Sequence, residues 1–165
     1  MDFTLVRVDN RLVHGQILEA WLPYTKASYI IVADDAVASD FLHESVIKMA
    51  VPREIEVAIY NLEEFSSSHA YSEKNDKKAI VLFSNIDSAL KSYELGFKFR
   101  KLNIGNVYSE NFSLRCAASI QLSDHDILKV QCLIDFGVSV ECRCVPKDKS
   151  VDIREFLKGR KTVSD

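Results

Sequence analysis

Short apolar runs rich in β-branched residues alternate along this chain with stretches whose apolar residues recur at helical spacing, and no other feature constrains the fold as strongly. The runs "FTLVRV" (Phe3–Val8), "YIIVA" (Tyr29–Ala33), "IEVAIY" (Ile55–Tyr60), "AIVLFS" (Ala79–Ser84) and "KLNIG" (Lys101–Gly105) read as strands. Between them lie a short helix around "QILEAWL", ended by Pro23, and a second helix from about Val37 to Ala50. A third opens at the cap pair Asn61 and Glu64 and decays into the polar "SSSHAYSEKNDKK"; a fourth covers "IDSALKSYELG". After Gly105 the rhythm breaks. "NVYSENF" is too short for a helical crossover before "SLRCAASIQL", so an antiparallel or irregular connection is expected there. Ser123 and Asp126 frame a further helix that Gly137 stops; "VSVECRCV" (Val138–Val145) is a last strand and "DIREFLKG" a terminal helix. Repeated strand–helix–strand units predict an α/β fold: an open, mostly parallel twisted sheet of about seven strands with helices on both faces, in a single domain over residues 1–165.

Composition removes several classes of function. The net charge of −3 argues against a nucleic-acid binder that relies on a general basic field, so no nucleic-acid partner is expected. No apolar run approaches the roughly 20 residues that span a bilayer, and "MDFTLVRVDN" lacks the pattern of a signal peptide. A cytoplasmic protein is the expectation. Cys116, Cys132, Cys142 and Cys144 form no C-x-x-C pair and are expected as buried free thiols. Their spacing suggests no zinc site with His43, His69 or His125, so no metal is expected.

Ligands of open α/β sheets bind beyond the carboxyl ends of the strands. That rule singles out Asp9 to Gly15, Asp34 with Asp35, Ser84 with Asn85, and Gly105 to Asn111. The first group, in "RVDNRLVHGQI", is the richest. A helix N-terminus favours a neutral histidine with a free lone pair, and it stabilises a phosphoryl group once attached. Arg11 can clamp phosphate oxygens in bidentate fashion, and Asp9 can hold Arg11 or the non-reacting ring nitrogen of His14. Gly15 permits close backbone approach, while Leu12 and Val13 offer apolar contacts beside His14 for a transient interface. Neither G-x-G-x-x-G nor a P-loop motif occurs.

The run Arg7 to Ile17 resembles the active-site signature of the IIB component of the bacterial sugar phosphotransferase system, mannose/fructose/sorbose family. The similarity continues through Ile30 to Asp35 and the helix up to Pro52, resumes at Leu82-Phe83 and Asn103-Ile104-Gly105, and ends in the Val138–Val145 strand and "PKDKSVDI". The resemblance implies a protein-N(π)-phosphohistidine–sugar phosphotransferase that needs no cofactor beyond its covalent phosphohistidine. By it, His14 accepts the phosphoryl group from a IIA component and passes it to a sugar entering through membrane IIC and IID proteins, with the chain peripherally associated with that transporter. Arg11 is then a phosphate ligand and Asp9 the signature aspartate; Arg7 also matches, though a structural ion pair with Asp9 explains it equally well. Asp34 and Asp35 match an acidic pair. Asp35 is expected to cap the following helix and Asn85 the one after Ser84. Leu12, Val13, Gly15, Gln16, Asp34 and Ser84 complete the expected phosphate- and partner-binding set.

The chain departs from the family after the fifth strand. Members often carry Asn-x-Gly-Gly and then a loop with a base; here Gly105 precedes Asn106-Val107-Tyr108-Ser109-Glu110-Asn111-Phe112, and Arg115 is the nearest substitute. That departure motivates an alternative, a regulatory histidine phosphoprotein acting on a protein partner. A receiver-like domain phosphorylated on Asp34 or Asp35 fares worse, because the acids follow the second strand and no lysine ends the fifth.

Overall fold

The computed structural model describes residues 1–67 and 76–160. His69 and the polar continuation of the third predicted helix lie outside the described residues. Among the described residues nine strands form: β1 (Asp2–Asp9), β2 (Tyr29–Ala33), β3 (Glu56–Tyr60), β4 (Lys78–Phe83), β5 (Lys101–Asn106), β6 (Leu114–Ala117), β7 (Ile120–Leu122), β8 (Ser139–Cys142) and β9 (Val151–Asp152). Seven of them make one sheet in the order β3-β2-β4-β1-β5-β8-β9, parallel except for the β8–β9 pair. The break in rhythm after Gly105 is a separate antiparallel hairpin, β6–β7.

Period-two alternation sorts the strand side chains into two cores. Val6, Val8, Ile31, Val81 and Phe83 face one side, where helices α4 (Leu62–Ser67), α5 (Ile86–Glu94) and α6 (Asp124–Asp135) cover them. Leu5, Ile30, Val32, Ile80 and Leu82 face the other. There the covering layer is a π-helical turn (Ile17–Trp21) running into α1 (Leu22–Thr25), with α2 (Asp35–Ala38) and α3 (Phe41–Ala50). The neighbouring strands β1 and β4 thus send their following helices to opposite faces, which opens a crevice at the carboxyl end of β1.

Side-chain caps set where α2 to α6 begin. Asn61 accepts from the Glu64 amide at 2.8 Å and Asn85 from the Ser88 amide at 2.8 Å, as expected. Ser123 and Asp126 form a reciprocal capping box. The continuous helix expected from Val37 to Ala50 is instead two helices, because Asp40 caps a new one by accepting from the Leu42 and His43 amides. The expected capping role of Asp35 is also corrected. Asp34 caps α2 through the Val37 amide at 2.9 Å, and Asp35 accepts from the Leu62 amide, bracing α4 against α2. Among the cysteines, Cys142 is buried but Cys132 is exposed. No helix among the described residues is long and apolar enough to cross a membrane.

Candidate functional site

β1 ends in a carboxylate that gathers the neighbouring polar groups. Asp9, fully buried, accepts from Arg7 Nη2 at 2.9 Å, from the Arg11 amide at 3.1 Å, and from Arg11 Nε and Nη2 at 3.2 and 3.3 Å. His14 Nε2 lies 3.6 Å from Asp9 Oδ2. Arg11 Nη2 also donates to Gln16 Oε1 at 3.0 Å, so that arginine is held from both sides while 40% of its side chain stays exposed. Charge-assisted bonds of this kind are roughly twice as strong as neutral ones, and Asp9 receives several.

The turn between Asp9 and His14 is tight. The Leu12 amide donates to the Asp9 carbonyl at 2.9 Å, and Leu12 adopts φ +56°, a left-handed conformation that bulky residues rarely take. Its side chain is buried among Ile17, Trp21 and Val37. The expectation that Leu12 lines an exposed partner surface is therefore corrected: it anchors the loop, and only Val13 beside it is half-exposed. Its carbonyl receives Nδ1 of His14 at 2.8 Å. A carbonyl only accepts, so this contact puts the ring proton on Nδ1. Among the described residues, His14 Nε2 and Arg7 Nε are the buried side-chain atoms without a hydrogen-bond partner.

His14 opens the helical residues 15–25, whose middle is the π-helical turn. Such turns recur at functional sites because the extra residue re-aims the side chains around it. Here the turn buries Ile17 and Trp21, and Trp21 Nε1 donates to the Cys144 carbonyl at 3.1 Å. Beside His14 lies an open cleft of about 960 Å3. Arg11, Gly15, Gln16 and Tyr24 line it from the first loop and helix, and Val145, Pro146 and Lys147 from the loop after β8.

Of the residues singled out in the sequence, Asp9, Arg11, His14, Gly15 and Gln16 thus come together. Asp34 and Ser84 pair with each other, Ser84 Oγ donating to the Asp34 carboxylate, and neither lines this cleft. Arg115 sits exposed in the β6–β7 hairpin opposite Gln121. Besides Arg11, the cleft is lined by the base Lys147, which sequence reasoning passed over. Arg7 is wholly buried; burial lowers its pKa, and the contact with Asp9 opposes that shift.

Known proteins share the fold along nearly the whole chain. The family model of the PTS system sorbose subfamily IIB component matches residues 3–165. The fructose-specific EIIB component of Bacillus subtilis (strain 168) is 28% identical over 159 residues, spanning 96% of this chain and 98% of that protein. The mannose-specific EIIAB component of Escherichia coli (strain K12) is 25% identical over 157 residues, which is 95% of this chain but 49% of that one. The crystal structure of the IIBSor domain of the sorbose permease from Klebsiella pneumoniae superimposes with a TM-score of 0.87 at 27% identity, covering 98% of this chain and 99% of that one. Matched along nearly its whole length in sequence and in fold, the chain is a phosphocarrier that relays phosphoryl groups during sugar transport: it belongs to the IIB components of the phosphotransferase system, sorbose subfamily.

Proposed function

We propose that His14 is the residue of this IIB component that carries the phosphoryl group, accepting it from a IIA protein and passing it to a sugar presented by membrane IIC and IID proteins. The observation that carries the assignment is the convergence of Arg7, Arg11 and His14 on the buried Asp9 carboxylate at the edge of an open cleft. The phosphotransferase activity of the family needs a nucleophilic nitrogen, a cation for the phosphoryl oxygens and a group that fixes the ring. His14, Arg11 and Asp9 supply these in that order.

For attack through N(π), Nδ1 leaves the Leu12 carbonyl and the ring carries its proton on Nε2. Asp9 Oδ2, 3.6 Å away, is the acceptor that holds that proton after a small inward shift of the ring. The lone pair on Nδ1 then forms the bond to phosphorus as the bond to the donor breaks, and the donor keeps the departing electron pair. Arg11 meets the phosphoryl oxygens from the cleft side, with Gln16 holding its guanidinium. The reaction needs no cofactor in this account; the phosphohistidine is its own intermediate. Val13, Gly15 and Gln16 form the surface on which the IIA protein docks, and the domain acts as one unit over residues 1–165.

Purified IIA charged from labelled phosphoenolpyruvate tests the assignment. Label should appear on His14, survive base and be lost in acid, whereas an acyl phosphate on Asp34 or Asp35 is lost in base. A folded His14→Ala protein that takes up label at the wild-type level would end the proposal. A second reading, a regulatory phosphoprotein with a protein acceptor, draws on loop 106–112, where Tyr108 and Phe112 are exposed and no base stands. Transfer to sugar in membranes holding IIC and IID separates the two.

A further inference from the structure

Arg7 is the one cation of β1 and lies wholly buried between Val6 and Val8, and the sheet has been shaped around it. Its register partner on β5 is Asn103, and the partner of Asn103 on β8 is Glu141, so the three form one row across the sheet. All three are buried. Arg7 Nη1 donates to Asn103 Oδ1 at 2.5 Å and to the Arg143 carbonyl at 3.0 Å; Nη2 donates to Asp9 Oδ2 at 2.9 Å and to the Cys144 carbonyl at 3.0 Å. Asn103 Nδ2 passes the row on to Glu141 Oε1 at 3.1 Å, and Lys101 and Ser150 hold the far end of that carboxylate.

Room for the guanidinium comes from Gly105. A Cβ there would lie 1.8 Å from Arg7 Cζ and 1.9 Å from Nη2. The register between β1 and β5 shifts at this point, from Val8 opposite Ile104 to Asp9 opposite Asn106, leaving Gly105 between the pairs. Trp21 closes the guanidinium from above at 5.2 Å.

We propose that Arg7, seated in the space left by Gly105 and aligned by Asn103 and Glu141, is a positioning residue for phosphoryl transfer. With one planar fork it sets the Asp9 carboxylate that faces His14 and ties down the Arg143–Cys144 segment leading into the Val145–Lys147 side of the cleft. A lysine has the charge but not the fork. The proposal rests on Asp9 orienting His14, and its first readout is taken without any phosphoryl donor.

Arg7→Lys and Asn103→Ala are made in the full chain and checked for folding by circular dichroism. The His14 ring is then followed by 15N NMR in the unphosphorylated protein, and transfer from phospho-IIA is measured with kcat and KM resolved. Both variants should move the His14 ring signals in the same direction. Arg7→Lys should lower kcat roughly tenfold through misplacement of the reacting groups. Gly105→Ala should reproduce the ring shift, and Gly105→Ala combined with Arg7→Lys should be no worse than the more damaged single variant, because both act on one contact. Asn103→Ala adds no bulk, so it keeps the test decisive should Arg7→Lys fail to fold. Folded variants with wild-type ring signals and kcat would overturn the proposal even with His14 confirmed as the labelled residue; loss of label at His14 in the wild-type protein would instead overturn the functional assignment.

Discussion

Leu12 holds its carbonyl 2.8 Å from Nδ1 of His14 and does so from a left-handed backbone at φ +56°, with its own side chain buried. The strain of that conformation, about 1–3 kcal/mol for a non-glycine residue, is sustained by the burial of the leucine side chain, worth about 1.5–3 kcal/mol. The pair works as a latch on the histidine ring. Leu12→Gly relieves the strain and releases the anchor together. The expected result is a folded protein with little net change in stability, a more mobile His14 ring and slower phosphoryl uptake, because Nδ1 leaves the carbonyl for attack in any case whereas a loop without its leucine anchor no longer keeps the ring beside Asp9. Urea melts paired with transfer rates check it; an unchanged rate would separate the latch from the chemistry.

Arg11 reaches Asp9 through Nε and Nη2 while Nη2 also meets Gln16, a geometry only a planar fork can make. Arg11→Lys keeps one charge at the cleft and loses that bracing. Transfer from phospho-IIA should slow by about one to two orders of magnitude, a loss typical of misplaced reacting groups. His14 should remain the labelled residue, as phosphopeptide mapping would establish. Unchanged kinetics would remove Arg11 from the mechanism.

The residues that sequence reasoning found are those whose partners are close along the chain. Asp9, Arg11 and His14 lie in one turn, so a strand end followed by a helix start sufficed to group them. Arg7 is legible only in part: its ion pair with Asp9, two residues on, is expected and is present, but its acceptors on Asn103 and Arg143 are 96 and 136 residues away, and only the strand order brings them to it. A signal did exist in the arginine inside "TLVRV", since a buried guanidinium must find several acceptors. The exposure expected of Leu12 failed because burial there depends on one left-handed residue, which hydrophobic periodicity does not encode. Asp34 and Asp35 were exchanged as caps because the choice turns on a one-residue shift in helix start. The break between α2 and α3 was hidden for a related reason. Asp40 interrupts the helix by capping, yet the apolar spacing on either side runs on across it.

Glu141 links this network to pH. Burial pushes its pKa up, but hydrogen bonds from Ser150, Lys101 and Asn103, together with the Lys101 charge, outweigh burial and leave it below the ordinary value. As pH falls, the unfolded chain therefore takes up the proton first. The stabilisation from this carboxylate is complete above the ordinary carboxylate range and is lost as pH falls through the depressed folded value. Glu141→Gln should be less stable than wild type at neutral pH, and the difference should shrink on acidification below the ordinary range. Urea midpoints across a pH series give the answer; a difference independent of pH would mean that the carboxylate charge contributes nothing here.

Val13 is the apolar residue of the loop that remains accessible beside His14. It is half-buried, packed in part against the Leu5–Trp21 core, so an aspartate there can keep its carboxylate in water and leave the fold intact. Val13→Asp places a negative charge where a phosphorylated partner must approach, and it removes an apolar contact from the centre of the docking surface. The KM for phospho-IIA should rise while kcat for bound donor changes little. Part of that rise should disappear with added salt, because an exposed charge acts over a Debye length of only about 8 Å at physiological ionic strength. Val13→Lys should lose the apolar contact without repelling the phosphoryl group, so its KM should rise less. Circular dichroism and thermal melting establish that both variants are folded before kinetics are compared. Should Val13→Asp be folded with a wild-type KM, the IIA protein docks elsewhere, and the Pro146–Lys147 side of the cleft becomes the surface to test.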